Sequence, residues 1–303
     1  NMAKVLIATE KPFAPAAVTQ IKKVFDDAGY EVALLEKYAD KSDLLTAVTD
    51  ADALIIRSDK VTPEVIEAGK NLKTVVRAGA GYDNVDLAAA SAKNVVVMNT
   101  PGQNSNAVAE LAIGMMLYKA RGQFNGKPGT ELKGKTLGIL AYGNVGKIVA
   151  NLGLAFGMKV YAFDPFVSSS DIQKDGVEVV NSIGDLFAKC NYVSLHIPAN
   201  DETKESINFD LMSKMPVAAT VVNTARKEVI DEDDLLKMLS EREDFDIAPD
   251  CADEIADKFP GRFYFTPKKM GAQTAEANVN AGIAAAKQIV NFLENGDKTF
   301  QVN

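Results

Sequence analysis

Short apolar runs alternate with amphipathic stretches along the whole chain. Residues 5–9 read as a strand, 16–28 as a helix and 31–35 as a strand. Strands at 53–57, 74–77 and 95–98 continue the series, with a helix at 63–68. Continuous apolar runs bounded by turn residues are the mark of strands buried on both faces. Their alternation with helices predicts a parallel sheet covered on both sides. Residues 104–120 read as a long helix with Val108, Leu111, Ala112, Met115 and Met116 as its apolar positions, followed by a turn-rich stretch at 122–134. A second series then begins, with strands at 136–140, 160–163, 192–195, 220–222 and 246–248. The last helix carries Val279, Ile283, Ala286, Val290 and Leu293, a spacing that defines one helical face. Two such series predict two α/β domains, and 303 residues suffice for two domains of roughly 150 each.

Composition narrows the function more than the fold. Apolar residues make up 47% and charged residues 24%, which excludes a disordered, collagenous or disulfide-built chain. The net charge is −8 with no basic run, so neither nucleic acid nor an anionic membrane is an expected partner. No run approaches ~20 apolar residues, so no membrane span is expected. Asn1 before Met2 reads as an appended residue, and the stretch after it lacks the grammar of a signal peptide. Cys190 and Cys251 cannot make a disulfide framework and read as reduced thiols of a cytoplasmic protein. There is a single histidine, His196, and no metal site is expected.

The strand at 136–140 runs into Ala141-Tyr142-Gly143-Asn144-Val145-Gly146 and then a helix. This is a dinucleotide turn in which alanine holds the first of the three usual glycine positions. Gly143 would let the backbone approach a pyrophosphate at the helix N-terminus, and Gly146 would let the helix pack closely on its strand. Asp164 lies 21 residues past Gly143, at the end of the next strand. A carboxylate there accepts hydrogen bonds from a ribose 2′-hydroxyl and repels a 2′-phosphate, so the expected cofactor is NAD.

Three further segments end predicted strands, where ligands of open α/β sheets bind. They are Arg57-Ser58, the stretch from Arg77 through Ala78, Gly79 and Gly81 to Asp86, and the stretch from Thr220 through Asn223 to Arg226. In the second, the amides of Gly79 and Gly81 would be presented to an anion. With the stretch 99–110, the run 131–138, the Asn223-to-Arg226 motif and Thr266-Pro267, in this order and spacing, the chain resembles the D-isomer-specific 2-hydroxyacid dehydrogenases. Arg57-Ser58 with Arg77 before Ala-Gly resembles the phosphoglycerate-specific members more than the lactate or formate ones.

The resemblance implies a fold of two Rossmann-like or flavodoxin-like parallel-sheet domains with a cleft between them. Residues 1–101 and 274–303 would form a split substrate-binding domain, and 102–273 an inserted NAD-binding domain carrying a homodimer contact. It implies NAD-dependent oxidation of D-3-phosphoglycerate and the reverse reaction, the step that opens serine synthesis. The substrate, a small phosphorylated 2-hydroxy acid, would meet Arg57, Ser58, Arg77, Ala78, Gly79 and Asn104, with Lys60 near its phosphate. The cofactor would meet Tyr142, Gly143, Asn144, Val145, Gly146, Asp164, His196, Thr224, Ala225 and Asp250. Longer members add a regulatory domain; with the chain ending at Asn303, serine feedback through one is not expected.

The family's acid/base is a histidine after the Thr-Pro pair, and here that place is held by Lys268. The family's glutamate position falls at or next to Ile255, with Glu254 one residue short. The implied catalytic set is therefore Arg226 on the substrate carboxylate, Lys268 handling the proton and Glu254 as its acidic partner. A lysine used as a base at neutral pH needs its pKa lowered, which burial beside Arg226 and Lys269 would achieve. As an acid delivering a proton to a keto oxygen it needs no shift. Two other readings stay open: a glycerate or hydroxypyruvate dehydrogenase of the same family, and a non-catalytic NAD-sensing protein on the same fold.

Overall fold

A computed structural model describes residues 2–252 and 254–303; Asn1, whose reading as an appended residue is an expectation from the sequence, lies outside them. The chain divides into two units, one running to Asn104 and resuming over Thr274–Asn303, the other Ser105–Gln273. The first unit contains β1 (Lys4–Thr9), α1 (Pro15–Ala28), β2 (Glu31–Glu36), α2 (Lys41–Ala47), β3 (Ala53–Ile56), α3 (Pro63–Ala68), β4 (Thr74–Arg77), α4 (Leu87–Ala92) and β5 (Val96–Asn99). Its strands form one parallel sheet in the order β2-β1-β3-β4-β5, the flavodoxin-like arrangement. Side chains alternate between its faces. Val5, Ile7, Ala53, Ile55 and Val76 enter the layer shared with Ile21 and Phe25 of α1. Leu6, Ala8, Leu54, Ile56 and Val75 enter the layer shared with Leu44 of α2 and Val65 of α3. This alternation decides where the residues just beyond β3 point.

The second unit opens with α5 (Ser105–Ala120) and continues with β6 (Thr136–Leu140), α6 (Asn144–Ala155), β7 (Lys159–Phe163), α7 (Ser169–Gln173), β8 (Glu178–Val179), α8 (Ile183–Lys189), β9 (Tyr192–Leu195), α9 (Phe209–Ser213), β10 (Thr220–Asn223), α10 (Glu232–Glu241) and β11 (Asp246–Pro249). Its six-stranded parallel sheet runs β11-β10-β9-β6-β7-β8. Counted from β6, that is the 3-2-1-4-5-6 order of dinucleotide-binding folds, with its switch point between β6 and β9. Both sheets bear out the expected α/β fold of two parallel-sheet domains.

The last helix, α11 (Ala275–Asn295), packs on α1 in the first unit. Its buried face differs from the expected one. Ala277, Ala281, Gly282, Ala285, Ala286, Gln288 and Ile289 are buried, whereas Val279, Ile283, Val290 and Leu293 are only half-buried. The cause is close approach: a Cβ on Gly282 would lie 2.5 Å from Ile21 Cδ1, so small residues take the contact line. In α5 the expected Ala112, Met115 and Met116 are buried, with Ala109, Ile113 and Ala120 beside them, while the expected Val108 and Leu111 are half-buried. Apolar on nearly every side, α5 carries no stripe for the sequence to show.

Candidate active site

The glycine turn sits at the switch point of the second sheet, between the ends of β6 and β9. Ala141, in the first glycine position, takes a left-handed φ of 75°, the reason glycine is favoured there. A Cβ on Gly146 would meet the Ala141 carbonyl oxygen at 2.1 Å, so α6 can lie against β6 only with glycine at that position. Around Gly143 a Cβ would meet nothing within 4 Å. α6 starts here without a side-chain cap, its first backbone bond being Lys147 N–H to the Gly143 carbonyl. The amides of Asn144, Val145 and Gly146, the first turn of α6, are left without a backbone partner, with Asn144 exposed, Val145 half-buried and Gly146 buried.

Asp164 ends β7 and accepts from the amides of Tyr142 (2.7 Å) and Phe166 (2.9 Å), which aims the carboxylate at the turn. Tyr142 differs from expectation. Its amide is spent on Asp164 and its ring is buried with the hydroxyl donating to Asp175 Oδ2 at 2.7 Å, so it supports the turn from inside rather than meeting a ligand. His196 follows β9, its amide bonded to the Leu140 carbonyl and its Nε2 2.8 Å from Ser194 Oγ. Burial pulls its pKa down to about 4, so the imidazole is neutral at pH 7.

A second group of predicted residues is brought together by one buried carboxylate. Asp250, at the end of β11, accepts from Thr266 Oγ1 (2.8 Å), Met270 N (2.9 Å) and Gly271 N (2.9 Å). Thr266 in turn accepts from Cys251 N at 2.7 Å. Asn223 at the end of β10 accepts from Ala225 N and donates to the Arg226 carbonyl, and Lys269 Nζ donates to the Ala225 carbonyl at 3.1 Å. These bonds join the loops carrying Arg226 and Lys268 at the carboxyl end of the sheet. Asp250, expected beside the cofactor, has both oxygens engaged in holding the Lys268 loop. Hydrogen bonds to a charged group contribute roughly 1.5–3 kcal/mol each, enough to fix such a loop.

The Arg226 guanidinium is exposed and has no side-chain partner among the described residues. Thr224 beside it is buried with its hydroxyl unpaired, a cost of about 1–3 kcal/mol that a ligand at this edge would relieve. Lys268 is exposed, and no carboxylate pairs with it among the described residues. Glu254 stands in a short 3₁₀ turn, Glu254–Lys258, with its side chain in solvent; no bond joins it to Lys268.

In the first unit Arg57 and Arg77 lie near enough for the charge of one to lower the pKa of the other, after burial, which lowers both. Arg57 donates to the carbonyls of Lys11 (2.9 Å) and Pro12 (3.1 Å) and to Asn278 Oδ1 (3.3 Å), and lies over the Phe13 ring. Among the described residues Arg77 donates only to the carbonyls of its own loop, Gly81 at 3.0 Å and Ala78 at 2.7 Å, which leaves most of its guanidinium donors unused there. Gly79 departs from the expected anion cradle: its amide bonds to Thr100 Oγ1 at 2.7 Å. Glycine is favoured there by a φ of 148°, a backbone conformation that side chains rarely adopt. The Ala78 amide is likewise spent, on the Ile56 carbonyl, whereas the amides from Ala80 through Asn84 have no partner among the described residues. Ser58 does not join Arg57. The alternation that sends Arg57 to the Phe13 side sends Ser58 to the α2–α3 side, beside Leu44 and Val65. Asn104 lies in the turn before α5 and is half-buried. Sequence reasoning passed over Asp59, buried and accepting from Glu10 N, Tyr38 Oη and Arg57 N. Its only sequence signal was a carboxylate between two cations at the end of a strand.

Comparison with known proteins accords with these features. The family model described as D-isomer specific 2-hydroxyacid dehydrogenase, NAD binding domain, matches residues 108–260. The chain is 37% identical over 286 residues to the hydroxypyruvate reductase of Thermotoga maritima, covering 87% of this chain and 92% of that one. It is 36% identical over 272 residues to the D-3-phosphoglycerate dehydrogenase of Methanocaldococcus jannaschii, covering 84% of this chain but only 52% of that relative. The NAD+-bound 3-phosphoglycerate dehydrogenase of Entamoeba histolytica matches with a TM-score of 0.85 at 46% identity, covering 100% and 99% of the two chains. The chain belongs to the D-isomer-specific 2-hydroxyacid dehydrogenases, a family of NAD-dependent enzymes. Its cofactor is NAD, and the open space at Gly143, the aimed Asp164 and the unpaired Thr224 hydroxyl fit that group.

Proposed function

We propose that this chain interconverts D-3-phosphoglycerate and 3-phosphohydroxypyruvate, the entry to serine synthesis. The observation that carries the choice of a phosphorylated substrate is the arginine pair of the first unit. Two guanidiniums held near each other by fixed carbonyls repel, and a dianionic phosphate relieves that repulsion. Arg77, with more of its donors free, takes the larger share, and the Ala80 and Gly81 amides add to it. In the second unit Asn144, Val145 and Gly146 would hold the cofactor pyrophosphate, Asp164 the ribose and Thr224 the nicotinamide end. NAD would accept the hydride that leaves C2 of the substrate, and NADH would return one to that carbon in reverse. Arg226 grips the substrate carboxylate and polarises the carbonyl through its two-pronged donor face. Lys268 as an ammonium delivers a proton to the keto oxygen during reduction, which needs neither burial nor the Glu254 partner. The same proposal includes a homodimer through the second unit, where Phe124 is 69% exposed beside the half-buried Tyr118. It also includes a cytoplasmic location, which the two free thiols suit.

A second reading, reduction of unphosphorylated hydroxypyruvate, is favoured by the Thermotoga relative, which matches over nearly its full length. Arg77→Ala separates the two. Losing one charge-assisted contact is expected to raise the KM for 3-phosphohydroxypyruvate roughly 10- to 100-fold and to leave that for hydroxypyruvate within about twofold. Equal losses for both substrates would contradict the phosphate assignment. Arg57 is the poorer probe, because removing it also unpairs the Lys11 and Pro12 carbonyls and Asn278.

A further inference from the structure

We propose that the first unit carries a second small-molecule site, for a zwitterion with a short apolar chain, at the β1/β3 switch point of its sheet. In the order β2-β1-β3-β4-β5 this is the place where open α/β sheets bind ligands at their carboxyl edge. A cavity of about 430 Å³ lies there, within the usual range for small-molecule sites. Its walls come from the ends of three strands and from α2 and α3: Glu10 after β1, Tyr38 after β2, Ser58 and Lys60 after β3. The floor is apolar, made by Leu44, Leu45 and Val65. Neither Arg57 nor Arg77 lines it, since both guanidiniums are drawn to carbonyls elsewhere.

The rim selects for a ligand carrying both charges. Lys41 and Lys60 face the cavity together with Glu10 and Glu64, and none of the four has an ion-pair partner among the described residues. A plain anion would meet two carboxylates and a plain cation two ammoniums, whereas an amino acid with an aliphatic side chain satisfies both pairs and covers the floor.

The cavity is wired to Arg57. Asp59, only 3% exposed, accepts from Tyr38 Oη (2.6 Å), from Glu10 N (2.8 Å) and from Arg57 N (3.1 Å). A ligand pressing on Tyr38 or Glu10 shifts the carboxylate that sets the backbone of Arg57. Occupancy therefore changes the affinity for the phosphorylated substrate, a consequence that rests on the function proposed above, whereas binding itself does not.

The test uses the full chain with L-leucine as probe, beside 4-methylpentanoate, which lacks the ammonium, and 3-methylbutylamine, which lacks the carboxylate. Binding is read by calorimetry and by saturation transfer. L-leucine is expected to bind at least tenfold more tightly than either half-probe, and Lys41→Ala or Glu64→Gln, both at exposed positions, to weaken it at least fivefold. No L-leucine binding up to about 10 mM, weaker than the millimolar end of specific binding, would overturn the site. So would equal binding of 4-methylpentanoate, or binding indifferent to both substitutions. In a parallel assay L-leucine is expected to change the KM for 3-phosphohydroxypyruvate at least threefold and not that for hydroxypyruvate. Binding without such a change overturns the coupling through Asp59. Binding in a protein that turns over neither keto acid upholds the cavity while sinking the proposed function.

Discussion

Gly146→Ala destabilises the nucleotide-binding unit by about 3 kcal/mol, at the upper end of overpacking costs, whereas Gly143→Ala in the same turn leaves stability nearly unchanged. At Gly146 the added carbon meets the Ala141 carbonyl oxygen at 2.1 Å and Ile139 Cγ2 at 3.1 Å, so α6 must move off β6. At Gly143 φ is −87° and the added carbon meets nothing within 4 Å, so alanine is tolerated by the protein alone. On the proposed reading the pyrophosphate approaches through that space, and Gly143→Ala is expected to weaken NADH binding by at least about tenfold, or 1.4 kcal/mol. The expected fall in Tm for Gly146→Ala is roughly 6–12 °C for a unit of this size. Thermal unfolding beside NADH fluorescence titration reads both effects. A Gly143→Ala protein with wild-type affinity for NADH would show that the cofactor does not use this turn.

Arg226→Lys is expected to lower kcat/KM for the keto acid by roughly 30- to 1,000-fold, with NADH affinity and Tm unchanged. The charge is kept, but the two-pronged donor face that matches a carboxylate is lost, at about 2–4 kcal/mol. Stability is spared because the guanidinium has no side-chain partner among the described residues; the Arg226 carbonyl, which accepts from Asn223 Nδ2 and Val229 N, is kept by lysine. Steady-state kinetics with differential scanning fluorimetry checks both halves. A loss below about threefold would remove Arg226 from the substrate, and a large fall in Tm would make its role structural.

Much of the scaffold was legible because its signals are local. β4, β6, β9 and α3 fall on the residues that the apolar runs and turn residues mark, and the Asp164 partner follows from spacing alone. The strand read as ending at Arg57 stops at Ile56, and the next two residues part to opposite faces, which separates Arg57 from Ser58. Stripes failed where helices pack by close approach: α11 buries alanines and a glycine against α1 in place of its larger apolar residues. The site was legible as a set of residues but not as a set of bonds. Thr100 takes the Gly79 amide from 21 residues away, and Asp250 reaches Met270 and Gly271, 20 and 21 residues on. Such pairings depend on tertiary placement, which no spacing rule supplies. The exposure of Lys268 is of the same kind, since it follows from how Asp250 ties down its loop.

The most direct test of the account is NADH consumption at neutral pH with 3-phosphohydroxypyruvate beside hydroxypyruvate, pyruvate and glyoxylate. The predicted result is turnover of all that the enzyme accepts through Arg226, with kcat/KM for the phosphorylated substrate at least about tenfold above the others, as one charge-assisted contact provides. Turnover confined to the unphosphorylated acids would contradict the role given to Arg57 and Arg77. NADH binding with no turnover of any of them would contradict the assignment of Lys268 and Arg226 as a working pair.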